Sequence, residues 1–590
     1  MRRRPLAIVA SALACAALTA CGGLSTSSTV RPGLEVGSAP ENEVKVEANP
    51  VAPGSTPVQV VGGFIRAAAA SDDQYQVARS FLGLRQASSW RPDTSVVVFT
   101  SSDQVEIKAT GPDTVTAMVT ATARIDGDGR YHELPDNTTM EATFGVGKLD
   151  GEWRITQLPD GFGSWLSSAD LDRLYDPFRI YFISGVERQL VPDIRWYPLG
   201  TGLATRLARA LLAGVPAYLN GAVRTAIPAG TRLAVDAVTI DSGTARVDLS
   251  TKGLGSDAEQ RQNLAAQFYN TVTQAPGVDR VALELEGADL QVPGGSGVID
   301  SLASVGFGAR SDPTGRPLLR TGSTLTAIDK DQLGDPDRRS ARQPSDDLPT
   351  LQTGWAYPAL SAAGNELAAV SGDQQQLSRW RGREQVQVIE PGELLTQPTY
   401  DRLGVLWFAG VAGRRTTMWA INTAGDSADT QRPVVVRATW LAGRRIVAQK
   451  VSPDGQRMAV VSTDPQGRSP RLQVAGVQRE ASGVPASLAE PLTLAPSLTL
   501  MRDLVWVDDT SLAVLGRKTS KQVMRPWFVP LGGPISAGPE LAGAQTITTV
   551  NGERGLVATT DEHQVLLRAG NRWQRIGAAT DLIVPVGGLP

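Results

Sequence analysis

Val451–Thr463 reads VSPDGQRMAVVST, a Ser-Pro-Asp-Gly turn that runs straight into a strand of small and β-branched residues. Proline fixes its own φ and the Asp-Gly pair tolerates a tight reversal, so the stretch reads as a hairpin corner followed by a buried strand. Four other stretches share the shape: LSAAGNELAAVSG from Leu360, PTYDRLGVLWFAG from Pro398, WVDDTSLAVLG from Trp506 and VNGERGLVATT from Val550. They recur at roughly 40 to 55 residues, the length of a propeller blade of four strands. A β-sandwich would show turn signals about every 8 to 12 residues and no longer period. Residues 316–590 are therefore expected to form an all-β propeller, with the polar run DPDRRSARQPSDDL, about 335–348, as a linker loop. Five corners are visible, so a closed ring needs at least one blade that the repeats do not reveal.

Upstream of the repeats the pattern changes to mixed helix and strand. In the span 58–165, Val61, Phe64, Ile65 and Ala68 share one helical face. After Ser71 as N-cap, Tyr75, Ala78, Phe81 and Leu82 share another. The strand-like pieces SVVVF, QVEIKAT, TVTAMVTATARI, EATFGVGKL and GEWRITQLPDG follow. Helices first and a curved antiparallel sheet afterwards resemble the cone-shaped nuclear-transport-factor-like fold. In the span 175–300, strand signals around FRIYFIS precede the helical LATRLARALLAG. A hairpin of TRLAVDAVTI and TARVDLS then turns at Asp241, Ser242 and Gly243, and a long helix starts at Ser256. Ser256 with Glu259 makes a capping box, Leu264, Phe268, Thr271 and Val272 face inward, and the strand VDRVALELEG closes the unit. The fold class is thus multidomain, two small α+β domains followed by an all-β propeller.

The chain opens Met1, Arg2, Arg3, Arg4 and continues PLAIVASALACAAL, a basic start and a short apolar run, the layout of a secretory signal peptide over residues 1–20. Leu18, Thr19, Ala20 and Cys21 match the bacterial lipobox, in which cleavage after Ala20 leaves Cys21 as the first residue, carrying a diacylglyceryl thioether and an N-acyl group. Two acyl chains, at about 0.8 kcal/mol per buried methylene, hold a protein durably where one would not. Residues 21–57 are rich in Gly, Ser, Thr, Pro and Glu and read as a flexible tether. Removal of Cys15 with the signal peptide and acylation of Cys21 leave no free thiol, which excludes a cysteine nucleophile, a thiolate zinc site and a structural disulfide.

Composition narrows the function classes further. A net charge of -3 offers no broad electropositive surface, so nucleic acid is not an expected partner. No nucleophile elbow, phosphate loop or dinucleotide fingerprint is present. The two histidines, His132 and His563, fall in different domains, and neither has a helical partner for zinc. Asp126 and Asp128 in IDGDGR lack the rest of a calcium loop and suit a hairpin turn. The acid pairs Asp72–Asp73, Asp346–Asp347 and Asp508–Asp509 fall at a helix start, a linker and a turn. Trp355, Trp380, Trp407, Trp440, Trp506 and Trp573 recur through the propeller as blade packing, with some open to lining a sugar-binding face. No catalytic residue, metal or cofactor is assigned, and the chain is expected not to be an enzyme.

The order of these parts is itself informative. The lipobox, PVAPGSTPVQVVGGFIRAAAASDDQYQVARSFL, GEWRITQLPDG, LLAGVPAYLNGAVRTAIPAGTRL with GTARVDLS and PGVDRVALELEG, and the degenerate propeller together resemble the LpqB lipoproteins of actinobacteria. The middle unit is similar to a GerMN domain. The resemblance implies a palmitate-bearing lipoprotein on the outer face of the cytoplasmic membrane. It further implies contact with the extracytoplasmic part of a histidine kinase of the MtrB type and an influence on cell-envelope and division responses. Two other readings stay open: a binder of carbohydrate or peptidoglycan, and a propeller hydrolase or lyase acting on envelope polymers.

Overall fold

Thr56 starts the first helix, α1 (Pro57–Ala68), through a reciprocal cap in which Thr56 Oγ1 accepts from Gln59 N at 3.3 Å and Gln59 Oε1 accepts from Thr56 N at 2.8 Å. The computed structural model describes residues 48–70, 75–101, 104–255, 257–294, 297–308, 315–329, 333, 348–423 and 432–585. The helix buries Val61, Phe64, Ile65 and Ala68, the face read from the sequence, against a curved sheet. The second expected helix is shorter than its periodicity suggests. It breaks into α2 (Gln76–Ser80) and α3 (Leu84–Ser89), because residues 81–83 leave the helix to pair with a strand: Ile155 N donates to Phe81 O at 2.9 Å and Gly83 N to Ile155 O at 2.8 Å. Its expected N-cap, Ser71, lies outside the described residues.

The sheet of this first domain comprises β1 (Val96–Phe99), β2 (Glu106–Ala109), β3 (Thr114–Ile125), β4 (Tyr131–Leu149), β5 (Glu152–Gln157) and β6 (Ser164–Ser167). Its order is β5-β4-β3-β1-β6, with β2 added on β3 and β1 parallel to β6. The strand β6 and the helix α4 (Ser168–Leu174) that follows it carried no signal in the sequence. Phe64, Trp90 and Phe144 fill the concave side with edge-on ring contacts.

The middle domain begins with β7 (Tyr175–Ser184) and β8 (Leu190–Pro198), an antiparallel pair extended by β9 (Val223–Arg224). Helix α5 (Leu203–Leu212) packs beside them. The expected strand across 231–240 forms only as β10 (Arg232–Leu233) and β11 (Thr239–Asp241), the residues between them bending away. Strand β11 joins β12 (Thr244–Ser250) through Ser242 and Gly243, whose φ values of 49° and 77° make the two-residue turn that hairpin twist favours. Helix α6 (Ala258–Val272) is capped by Asp257, whose carboxylate accepts from Glu259 N at 3.1 Å and Gln260 N at 3.4 Å. The cap is therefore one residue later than the expected Ser256–Glu259 box, a carboxylate being the stronger acceptor at a positive helix end. Ser256 lies outside the described residues. Leu264, Phe268, Thr271 and Val272 are fully buried.

Five sheets of four or five strands and one of three follow. Their first strands are Trp355–Leu360, Thr399–Tyr400, Arg445–Val451, Leu500–Trp506 and Ala544–Thr549, which adjoin one another in succession around a central channel. The blade hidden from the repeat pattern is the sixth, built from both ends of the region. Asp581–Ile583 pairs with Leu318–Thr321, which pairs with Thr324–Ala327. Arg320 secures the closure: its side chain is almost fully buried, Nη1 stands 3.1 Å from Asp581 Oδ2, and Nη2 donates to Gln352 O at 3.1 Å. No corner marks this blade because Asp581–Ile583 and the Leu318–Thr321 strand it pairs with are separated by more than two hundred residues of chain.

Candidate functional site

Each of the five sequence corners connects the first strand of a blade to its second, so all five lie at one end of the ring. The middle domain is seated on this end over blades two to four. Arg402, in the corner of blade two, pairs with Glu187. In blade three Arg457 is fully buried, pairs with Asp454 of the Ser-Pro-Asp-Gly corner, and donates from Nη1 to Pro192 O at 3.2 Å. At blade four the indole of Trp196 donates to Gly532 O at 2.7 Å. Gly476 leaves room for close approach: a Cβ there would lie 2.7 Å from Ala222 Cβ and 2.9 Å from Tyr218 O. The apolar cluster containing Phe268 and Leu219 continues without a break into Val461, Val474 and Val514 of blades three and four.

The propeller channel is narrow. Gln397, Thr399, Lys450, Thr546 and Thr548 are among its lining residues, and it encloses about 50 Å³. Lys450 Nζ donates to Gln397 Oε1 at 3.3 Å. Burial pushes the Lys450 ammonium down and the Asp503 carboxyl up, each partly offset by the other's charge. Asp503 also accepts from Leu504 N at 2.8 Å and Ile547 N at 2.9 Å, which ties blade four to blade five. Small-molecule sites usually enclose roughly 300–1,000 Å³, and this pocket falls well short of that.

A larger cleft of about 240 Å³ lies where the first domain meets the middle one. The β3–β4 hairpin tip forms one wall. There Asp126 Oδ1 accepts from Asp128 N at 3.0 Å and Arg130 N at 2.9 Å, and Gly129 takes φ 81°. Strand β8 runs beside it: Trp196 N donates to Gly129 O at 2.6 Å, and Arg195 Nη1 and Tyr197 Oη donate to Asp128 O at 2.8 and 3.1 Å. Arg195 is held by Asp193 at 2.6 Å, which also accepts from Tyr218 Oη at 2.9 Å. Helix α5 supplies Arg206 and Arg209 to the opposite wall, one turn apart. Arg209 pairs with Asp236, whereas Arg206 Nε stops 3.9 Å from Asp93 Oδ2, beyond hydrogen-bond reach. Tyr175 is 3% exposed, and its hydroxyl is buried without a hydrogen-bond partner. Ser164 beside it donates to Pro92 O at 3.0 Å.

These arrangements place the residues singled out in the sequence. His132 is exposed on β4, with Nε2 3.0 Å from Asp126 Oδ2, and His563 is exposed in the turn between the second and third strands of blade five. Burial pushes the Asp126 carboxyl up, but the His132 contact and the Arg130 and Asp128 amides outweigh it and hold it below its ordinary value. Asp508 accepts from Thr510 Oγ1 at 2.9 Å within its own turn. Trp407, Trp440, Trp506 and Trp573 donate their indole N–H to Asp401, Ala489 O, Lys450 O and Pro539 O at 3.1 to 3.2 Å. Trp355 and Trp380 stack edge-on at 5.4 Å. The tryptophans are thus spent within the blades. Among the described residues no three His, Cys, Asp or Glu side chains converge as metal ligands, and no helix is long and apolar enough to cross a membrane. Ala20, Cys21, Asp72, Asp73, Asp346 and Asp347 lie outside the described residues.

Sequence reading missed Arg457, Asp193 and Arg195, which dock the domains, and Asp93, Tyr175 and Arg206, which line the cleft. Arg457 left a trace, as an arginine entering a strand of small buried residues. The cleft residues left none, because they come from separate elements.

Three family models match the chain: the LpqB lipoprotein N-terminal domain over 50–172, the sporulation and spore germination domain over 179–291, and the LpqB lipoprotein β-propeller domain over 343–586. A lipoprotein LpqB of Cutibacterium acnes is 28% identical, the alignment covering 96% of this chain and 95% of that one. The LpqB of Thermobifida fusca is 27% identical over 99% of each chain, and that of Streptomyces coelicolor is 27% identical over 99% and 98%. Among solved structures, a Kuenenia stuttgartiensis hydrazine synthase chain aligns over 44% of this chain and 78% of its own, with 16% identity and a TM-score of 0.30, too low to bear on function. With both LpqB-specific domains flanking a germination-type domain in one chain, and relatives matching nearly end to end, this protein belongs to the LpqB lipoprotein family.

Proposed function

We propose that this envelope lipoprotein is held at the outer face of the cytoplasmic membrane by acyl chains on Cys21. There it modulates a two-component sensor kinase of the MtrB type by protein–protein contact. The observation that carries this reading is the seating of the middle domain on the propeller, where one apolar cluster runs through both and a buried arginine crosses the boundary. Such a junction makes a stiff platform, suited to holding a surface against a partner in the plane of the bilayer. The narrow channel and the tryptophans committed within blades give a sugar-binding or hydrolytic propeller face little to work with.

Crosslinking in intact membranes tests the reading. Capture of the extracytoplasmic part of a histidine kinase is expected, and a kinase that crosslinks to neighbouring lipoproteins but never to this one would overturn it. Cys21→Ala tests the anchor separately. Its expected effect is release of the folded protein from the membrane fraction, and retention there would remove the lipid from the scheme.

A further inference from the structure

We propose that the cleft between the first and middle domains binds a small zwitterion, a free amino acid or a dipeptide, with its carboxylate on Arg206 and its ammonium on Asp93. The inference does not rest on the kinase reading. Its first support is the loose pairing of these two groups. They face each other across the domain boundary at 3.9 Å, where a committed ion pair would close to about 2.7–2.9 Å; Arg206 Nη1 donates to Thr201 O at 3.1 Å, and both side chains are partly exposed. A ligand carrying both charges replaces one slack contact by two tight ones and leaves no net charge behind.

The second support is Tyr175. Its ring lines the same cavity, while its hydroxyl, shut off from solvent beside Ser164, makes no well-formed hydrogen bond in the empty protein, which costs free energy. A ligand carboxylate or peptide oxygen that displaces the ring slightly gives that hydroxyl an acceptor. Three other charged groups of the cleft are already engaged: Arg195 with Asp193 and Asp128 O, Arg209 with Asp236, and Asp126 with two amides and His132. Size sets the ligand class. About 240 Å³ gives room for an amino acid or dipeptide. Val96, Ile125 and Trp196 give the remaining wall an apolar character that suits a small aliphatic side chain.

The test is calorimetric titration of the full-length chain in detergent with alanine and alanyl-alanine, each in free, N-acetylated and C-amidated form. Saturable binding of at least one free probe at millimolar concentration or below is expected, with both blocked forms at least about tenfold weaker. Arg206→Ala and Asp93→Ala are each expected to weaken it by about tenfold or more. Tyr175→Phe is expected to weaken binding by about fivefold while leaving thermal stability unchanged or raised, since it removes an oxygen that had no partner. Absence of binding by every free probe would overturn the proposal. So would blocked probes binding as well as free ones, or folded Arg206→Ala protein binding like the parent.

Discussion

On its propeller side the middle domain buries Tyr218, Leu219 and Ala222 in the same apolar cluster as Val461, Val474 and Val514, and a fully buried Arg457 reaches across to Pro192 O. On its N-terminal side the same domain leaves a cleft of about 240 Å³, rimmed by Asp93, Arg206 and Arg209, whose side chains are between 31% and 49% exposed. At Arg457 and Asp454 the first junction is closed to solvent, so that pair is strongly coupled and a defect there has nowhere to relax. Water enters the second, so its ion pairs are weak and replaceable. One domain thus has a fixed partner on one side and an adaptable surface on the other.

Breaking the dry junction is expected to produce the largest effect. Arg457→Ala strands Asp454, 1% exposed, without its counter-charge, and should cost about 3–5 kcal/mol in denaturant unfolding. A cost below about 1 kcal/mol would mean that water reaches the site and that the contrast is false. Next comes Gly476→Val, which drives side-chain atoms into Ala222 and the Tyr218 carbonyl. About 1–3 kcal/mol is expected, with faster proteolysis between the middle domain and the propeller. Trp196→Phe keeps one aromatic ring but deletes the donor to Gly532 O and the rest of a buried indole, for about 1–2 kcal/mol.

The contact between the first domain and the propeller adds a pH test. Burial pushes the Glu133 carboxyl up, the Ser497 hydroxyl at 2.6 Å pulling it partly back, and its other oxygen is buried without a partner. A raised carboxyl pKa stabilises the folded state fully below the unfolded value, near 4.3, and that stabilisation is lost as pH rises through the native value. The stability of the parent relative to Glu133→Gln should therefore fall from about pH 4 to pH 7, measured by denaturant titration at each pH. A difference that grows over this range would reverse the sign and show a paired carboxylate. The smallest effect belongs to the open cleft: Arg206→Ala should change stability by no more than about 0.5 kcal/mol, because its contact with Asp93 is long and its bond to Thr201 O is exposed to solvent.

How much was legible follows from how local each feature is. The Ser-Pro-Asp-Gly corner and its four relatives announce themselves because a tight turn and the buried strand after it are set by adjacent residues. Helix α1 and the inward face of α6 were likewise visible from spacing. The second helix misled because Phe81 and Leu82 satisfy the helical period, yet residues 81–83 are claimed by Ile155, more than seventy residues away in the sheet. The sixth blade was invisible because Arg320 and Asp581 meet only when the ring closes. Asp93, Tyr175 and Arg206 lie on separate elements of two domains, so no spacing rule joins them.

The sequence by itself determined the order of the domains, the inward faces of α1 and α6 and the five propeller corners, since these rest on short-range stereochemistry and hydrophobic period, while the family was legible only through likeness to known chains. Tertiary structure alone decided the sixth blade, the dry seat of the middle domain and the wet cleft on its other side. Each of those depends on which polar groups are left without solvent when distant strands come together, and that is fixed only when the chain has packed.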